Sequence, residues 1–371
     1  MLDRQTDRQT DRFSHIDLIE SIAILFVVIY HTTIYSFDFI HDNSVKNYVL
    51  YYLRTLLSTC VPLFFFANGY LLFNRPFELT KHIKRTFRLF VLAFIWAAIL
   101  LPTYMVVAGE KITLGVFVKR IINLDIEWGM NLFWFLGALI CMYILFPALK
   151  SLFDSNKKAF VWFTIVCAVL TFGVVLGSQV LSLIGTFTHR SVASFSSFLY
   201  HPMFTMINPF RGSYGYSFVY FCVGGLIYIY EDRIRAVAQT KRNIISVVGI
   251  IASCGLLFTY GIFCSKMIDG SLWDVVWNGY DTISTFANVI FIFVLSLNYH
   301  SNISIVKSIS SNTLGIYFLH VLIIRLTKPW VKSVDALCNL PFNIIYALMI
   351  VLVCLAICLL IRKIPILKKL I

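Results

Sequence analysis

A glutamate and a histidine lie eleven residues apart on one apolar stretch, which runs from Ile16-Asp17-Leu18-Ile19-Glu20 to Tyr30-His31-Thr32. A helix turns about 100° per residue, so Glu20 and His31 fall within about 20° of each other, with Asp17 and Tyr35 a little to one side. At about 1.5 Å of rise per residue the ring stands roughly 16 Å above the carboxylate. That height is near or beyond the middle of a bilayer, where an ionisable group persists only if it faces protein or a wet cavity. Imidazole suits proton abstraction, because its unperturbed pKa of about 6.5 lets it take and return a proton near neutrality. A neutral ring bridging two helices is the competing reading, and the same reading applies to His320, the other histidine expected within a span. Arg85 and Arg88 are three apart and share one side of a helix. Their planar guanidinium forks match phosphate oxygens bidentately, although the neighbouring Arg75, Lys81 and Lys84 are equally explained by the bias of basic residues toward the cytoplasmic side.

Such groups need elements that hold them in lipid. Of the 371 residues, 59% are apolar, 16% aromatic and 13% charged, against roughly 25% charged in a soluble domain. A water-soluble fold is excluded. So is a membrane β-barrel, because runs such as 344–361 are continuously apolar rather than alternating. Apolar windows at 16–37, 48–73, 89–108, 131–149, 159–181, 214–230, 243–264, 277–297, 313–327 and 342–361 predict an all-α, polytopic membrane protein of about ten spans. The expected division is a polar tail over 1–15, a membrane domain over 16–361 and a basic tail over 362–371.

An even number of spans puts both termini on one side. Of the 31 basic residues, 20 sit in the tails and loops of the N-terminal side and nine on the other, with Arg54 and Arg325 inside spans. Both termini are therefore expected in the cytoplasm, and the net charge of +13 reads as topology rather than nucleic-acid binding. The nine cysteines are odd in number and form no CxxC pair, which predicts neither a disulfide framework nor a metal site. Cys354 and Cys358 share a helix face without further ligands. No cleavable leader is expected, since the first apolar run is long and lacks a small-residue cleavage site. The outer segment 183–213, with His189, His201 and Arg211, is long for a turn and predicts a lid or a ligand-facing surface. Glu127, Trp128 and Asn131 are suited to sugar contact by stacking and hydrogen bonds.

The N-terminus repeats Asp-Arg-Gln-Thr over residues 3–6 and 7–10 and begins a third copy at Asp11-Arg12. As a peptide this is a polar tail. Tandem GACA units read as GAC AGA CAG ACA, which encodes Asp-Arg-Gln-Thr, so gain or loss of one unit shifts the downstream frame. The expectation is phase-variable expression; scattered synonymous codons in the gene would rule it out.

The stretch Ile16 to His31, then Val61-Pro62-Leu63-Phe64-Phe65-Phe66-Ala67-Asn68-Gly69-Tyr70, then Trp134-Phe135-Leu136 to Tyr143 and Pro147, then Leu314-Gly315-Ile316-Tyr317-Phe318-Leu319-His320, resembles in order the acyltransferase 3 family of integral membrane O-acyltransferases. The branch acting on enterobacterial common antigen is similar. The resemblance implies a bacterial inner-membrane enzyme that takes acetyl from acetyl-CoA, without a metal, and places it on a hydroxyl of an envelope glycan of lipopolysaccharide or lipooligosaccharide type. It implies that His31 acts as base or acyl carrier and that Arg85 and Arg88, matching an RxxR motif, bind CoA phosphates. It assigns Asn68, where relatives carry serine, to a polar substrate lining, and His320 to acceptor contact. One departure stands out: the family's arginine eleven residues before the histidine is Glu20. This carboxylate cannot bind an anion, and is left to orient a histidine through water or to pair with a cation. A glycan or lipid-intermediate transporter is the rival reading, although no paired broken helices mark inverted repeats; a non-catalytic scaffold is the other. Oligomeric state is not legible.

Overall fold

The computed structural model describes residues 13–109, 113–122, 133–188, 214–268, 270–300, 303–365 and 367–370. The repeat of residues 1–12, the Glu127, Trp128 and Asn131 cluster, and residues 189–213 of the outer segment lie outside them. The described residues are helical, as lipid requires: with no water to bond to, each spanning segment must satisfy its N–H and C=O groups internally. Eight helices are long and apolar enough to cross a membrane. The chain is a polytopic, all-α membrane protein.

Helix α1 spans Ser14–Thr32. It stops short of the window drawn from hydropathy, so Tyr35 falls in the following loop and not on the His31 face. The second window is not a single regular helix. It divides into α2 (Val45–Thr55), a 3-10 turn (Leu56–Thr59) and α3 (Cys60–Phe73), and the turn precedes Pro62, whose missing N–H suits a helix start. Next come α4 (Leu79–Ala108), the short α5 (Leu114–Ile122) and α6 (Trp134–Ser155). The fifth window holds α7 (Lys157–Ala168) and α8 (Val174–Phe187), joined by a π turn.

The second half consists of α9 (Tyr216–Ala236), α10 (Gln239–Phe263), α11 (Ile283–Ser296), α12 (Ser304–Ser310), α13 (Thr313–Lys332) and α14 (Leu340–Lys363). Helices α9 and α11 occupy the two predicted windows that are not among the eight long apolar spans. At 14 residues, α11 is only about 21 Å long. Sequence also missed two histidines on spanning helices: His15 lies in the first turn of α1 and His82 in the first turn of α4, and both are buried.

Helix α1 is the axis of the molecule, packed by α3, α11, α12, α13 and α14. The closest pairing is α3 against α9. A Cβ on Gly69 would stand 1.8 Å from the Phe221 carbonyl oxygen, and one on Gly224 would stand 2.1 Å from that of Phe66. Two glycines therefore let these backbones touch, the usual route to tight helix contact in lipid. Phe65, Phe66, Phe73, Phe146 and Phe221 fill the adjacent core. The outward faces expose Trp162, Phe187 and Leu360, the apolar surface a bilayer covers. All nine cysteines are free thiols; seven are buried, as small core residues should be, whereas Cys141 is exposed on α6.

Candidate active site

His31 sits in the last turn of α1, where carbonyls lose their intrahelical partners. Other helices supply replacements. Lys328 of α13 donates from Nζ to the His31 carbonyl at 3.1 Å, and Asn343 of α14 donates to the Ile29 carbonyl at 3.4 Å while accepting from the Ile34 N–H at 3.1 Å. Arg54 of α2, only 5% exposed, donates to the Thr33 hydroxyl at 3.1 Å. Its guanidinium lies over Phe37 and Tyr30, 4.2 and 4.9 Å from the ring centres. Tyr30 in turn donates to Asp274 at 2.9 Å, and Asp274 approaches Arg54 to 3.8 Å. A helix end that would otherwise fray is thus fixed from three sides. A charge inside a span was the signal that marked Arg54, but sequence attached no role to it.

The ring's own bonds decide its tautomer. Nδ1 of His31 lies 2.8 Å from the Val27 carbonyl; a carbonyl only accepts, so Nδ1 carries the proton and Nε2 holds the lone pair. Nε2 has no protein partner among the described residues. His320 on α13 repeats the pattern, with Nδ1 at 2.7 Å from the Tyr317 carbonyl and a buried Nε2 without a partner among the described residues. The two rings are 5.1 Å apart between centres, edge to face.

Both histidines line one cavity of about 760 Å³, within the ordinary size range of small-molecule sites. The ring of His31 is therefore open to a ligand rather than sealed in the core. At one end the lining includes Glu20, Asn68, Arg85, Tyr143 and Ser310; at the other, Tyr30, Trp134, Tyr214, Trp277 and Tyr280. Helix directions assign the first group to the end where α1 and α4 begin.

The polar end is internally bonded. Ser310 contacts Glu20 at 2.6 Å and Asp17 at 2.7 Å. Tyr143 donates to the Asn68 side-chain oxygen at 3.0 Å, and the Asn68 amide donates to the Phe64 carbonyl at 2.9 Å. His82 donates from Nε2 to the Tyr143 carbonyl at 2.7 Å, and the Arg85 guanidinium lies 5.5 Å from the Tyr143 ring centre. At the far end the indole of Trp134 stacks on Tyr214 at 5.0 Å and meets Trp277 edge-on at 5.5 Å.

The predicted residues are thus only partly gathered. His31, His320, Asn68, Arg85 and Glu20 share the cavity; Arg88 is exposed on α4 and is not in its lining. Glu20 and His31 share a helix face, but roughly 16 Å of helix separates them, too far for one bridging water. At the polar end Glu20 accepts from the Ser310 hydroxyl. Ser310, Trp277 and Tyr280 were not singled out from sequence, since Ser310 ends α12 while Trp277 and Tyr280 belong to one short turn, and no local pattern encodes how these elements approach the cavity.

A family model described as an acyltransferase domain, Acyl_transf_3, matches residues 13–363. The chain belongs to the acyltransferase 3 family. No curated protein and no solved structure matches it. As a member of acyltransferase 3 it is a membrane acyltransferase, and His31, the histidine expected from the resemblance, is among the residues lining the cavity. The two departures of this acyltransferase 3 chain, Glu20 and Asn68, both fall at the polar end, where each is tied to a hydroxyl-bearing neighbour.

Proposed function

We propose that this acyltransferase moves an acetyl group from acetyl-CoA to a hydroxyl of a cell-envelope glycan of lipopolysaccharide or lipooligosaccharide type, in a bacterial inner membrane with both termini cytoplasmic. The observation that carries the reading is the bare Nε2 of His31 in a cavity that joins a polar end holding Arg85 to an aromatic end. A phosphate-rich thioester matches the first chemistry and a sugar the second, since aromatic rings give sugars an apolar stacking surface. The excess of basic residues on the N-terminal side supports a cytoplasmic position for the Arg85 end. Arg85, which lines the cavity while remaining exposed, holds a CoA phosphate at its mouth, and the exposed Arg88, one helix turn on, adds charge at the approach.

The Val27 carbonyl keeps the proton on Nδ1 and so the lone pair on Nε2. Nε2 takes the proton of the acceptor hydroxyl as its oxygen forms the new bond to the acyl carbon. The carbon–sulfur bond breaks, and the proton on His31 passes to the departing CoA thiolate. Each cycle returns His31 neutral. Incubation of the purified chain with labelled acetyl-CoA and no acceptor tests this role. Soluble label only is expected; label retained on His31 would replace the base with an acyl carrier.

Mass spectrometry of the surface glycan with the gene in and out of frame tests the reaction itself. A difference of about 42 Da per acetyl group is expected. An unchanged glycan that fails to reach the surface would favour the transporter. Counting GACA units in expressing and silent isolates tests the proposed phase variation in the same material.

A further inference from the structure

The segment between α10 and α11 carries Trp277 and Tyr280 into the cavity. Ring contacts alone leave its register against His31 open, since aromatic pairs are accepted over centre distances of about 4.5–7 Å. Polar bonds remove that freedom. Asp274 opens the turn: its Oδ1 accepts the Val276 N–H at 3.0 Å and the Trp277 N–H at 3.4 Å, so the carboxylate holds the backbone of the residue whose indole faces the ligand. Its Oδ2 accepts the Tyr30 hydroxyl at 2.9 Å, and the Tyr30 ring meets the His31 ring edge-on at 5.1 Å. One side chain thus joins the turn to α1 across 244 residues of sequence, and does so at the residue next to His31. The flanking backbone is held to other helices. The Tyr51 hydroxyl of α2 donates to the Trp273 carbonyl at 2.8 Å, and the Tyr220 hydroxyl of α9 donates to the Tyr280 carbonyl at 3.0 Å; neither helix bears His31. Arg54 stands 3.8 Å from Oδ1 and balances the charge. Both carboxylate oxygens are thus taken by protein donors, and Asp274 acts on the reaction through what it holds.

A sugar stacked on an indole presents several hydroxyls around its edge. Sliding the indole by the spacing of two neighbouring hydroxyls brings a different one to His31, and a smaller slip leaves none in reach; a displacement of about 1 Å is enough to cost about 100-fold in rate. We infer that Asp274 decides which hydroxyl of the acceptor is acetylated, as a positioning residue that keeps the Trp277 turn in register with His31. The inference rests on the glycan reading above and adds to it a determinant of regioselectivity. Its signature differs from that of removing the indole. Loss of Trp277 weakens acceptor binding, whereas loss of the Asp274 link leaves the stacking surface present and misaligned, so kcat and the acetylated position change while the acceptor KM holds.

The test uses the full chain in lipid nanodiscs with labelled acetyl-CoA and the methyl pyranosides of glucose, galactose and mannose, the products being resolved into positional isomers by chromatography and NMR. The wild type is expected to give one dominant mono-acetyl isomer from each sugar it accepts. Asp274→Ala should lower kcat roughly 10- to 100-fold with the acceptor KM within about 2-fold, and should spread acetyl over several hydroxyls. Tyr30→Phe keeps the ring and breaks the same bond from the α1 side. It should scatter the product in the same way, which gives a reading independent of whether Asp274→Ala folds, and combining the two changes should add nothing. Asp274→Asn, whose amide oxygen accepts from the turn and whose amide nitrogen donates to Tyr30, should restore the dominant isomer. Acetyl-CoA binding without acceptor should be equal in all four variants and the wild type. An unchanged isomer pattern in Tyr30→Phe and Asp274→Ala, or a raised acceptor KM with the pattern intact, would overturn the inference and leave the reaction standing; so would a wild type that scatters acetyl by itself. Failure of the wild type to acetylate any of the three sugars would overturn the glycan reading, and the inference with it.

Discussion

The two ends of the cavity are built on different physical terms. At the end holding Glu20 and Arg85, nearly every polar group is tied to another: Ser310 to Asp17 and Glu20, Tyr143 to Asn68, His82 to the Tyr143 carbonyl. Such bonds are directional, and they set side chains before a ligand arrives. At the end holding Trp134 and Trp277, Tyr30 is bonded to Asp274, but the two tryptophans make stacking and edge-to-face contacts, which tolerate sliding; Trp277 remains 46% exposed. A framework of fixed polar groups suits a ligand that never changes, such as a common acyl donor. A set of aromatic faces suits acceptors that vary around one shared feature. His31 and His320, in ring contact with each other, line the same cavity.

The largest break in this picture comes from the middle. His31→Ala should lower transfer about 100- to 10,000-fold, the usual worth of a positioned base, with thermal unfolding unchanged; a folded variant that still acetylates would remove the central group from the mechanism. Arg85→Ala separates the ends. The apparent KM for acetyl-CoA should rise roughly 10- to 100-fold, as expected for loss of a charge-assisted hydrogen bond, while the KM for acceptor stays put. Initial-rate kinetics varying each substrate in turn would expose the opposite pattern. Trp277→Ala is its mirror, with acceptor KM raised about 2- to 10-fold and donor KM constant. An equal rise in both constants would mean that the aromatic end supports the whole cavity rather than one substrate. The smallest change is Asn68→Leu, which strands the Tyr143 hydroxyl at a cost of about 1 kcal/mol. A slightly lower unfolding midpoint is expected, and relief of the defect by adding Tyr143→Phe checks that the two residues act as a pair.

Glycine substitutions probe the frame and not the chemistry. Gly69 and Gly224 recur where α3 meets α9, and a side chain on either would press into a carbonyl of the other helix. Gly69 lies in one of the short motifs read from the sequence, whereas Gly224 becomes its counterpart only through the approach of α3 and α9.

Composition and hydropathy by themselves determined that this chain crosses a membrane as helices, because lipid leaves no other way to satisfy a backbone along long apolar runs. The order of short motifs was enough to single out His31, and helical periodicity was enough to put Glu20 on the same face, since both depend on nearby residues only. The end of α1 at Thr32, and with it the removal of Tyr35 from that face, was not legible. It depends on Lys328 and Asn343, which reach back from helices 297 and 314 residues away. Tertiary structure alone decided that Arg85 enters the cavity while Arg88 does not, that Glu20 answers to Ser310, and that His320 stands beside His31 with its lone pair unclaimed. These are facts about how separate helices meet, and a helix carries its own period but no record of which neighbour its faces will find.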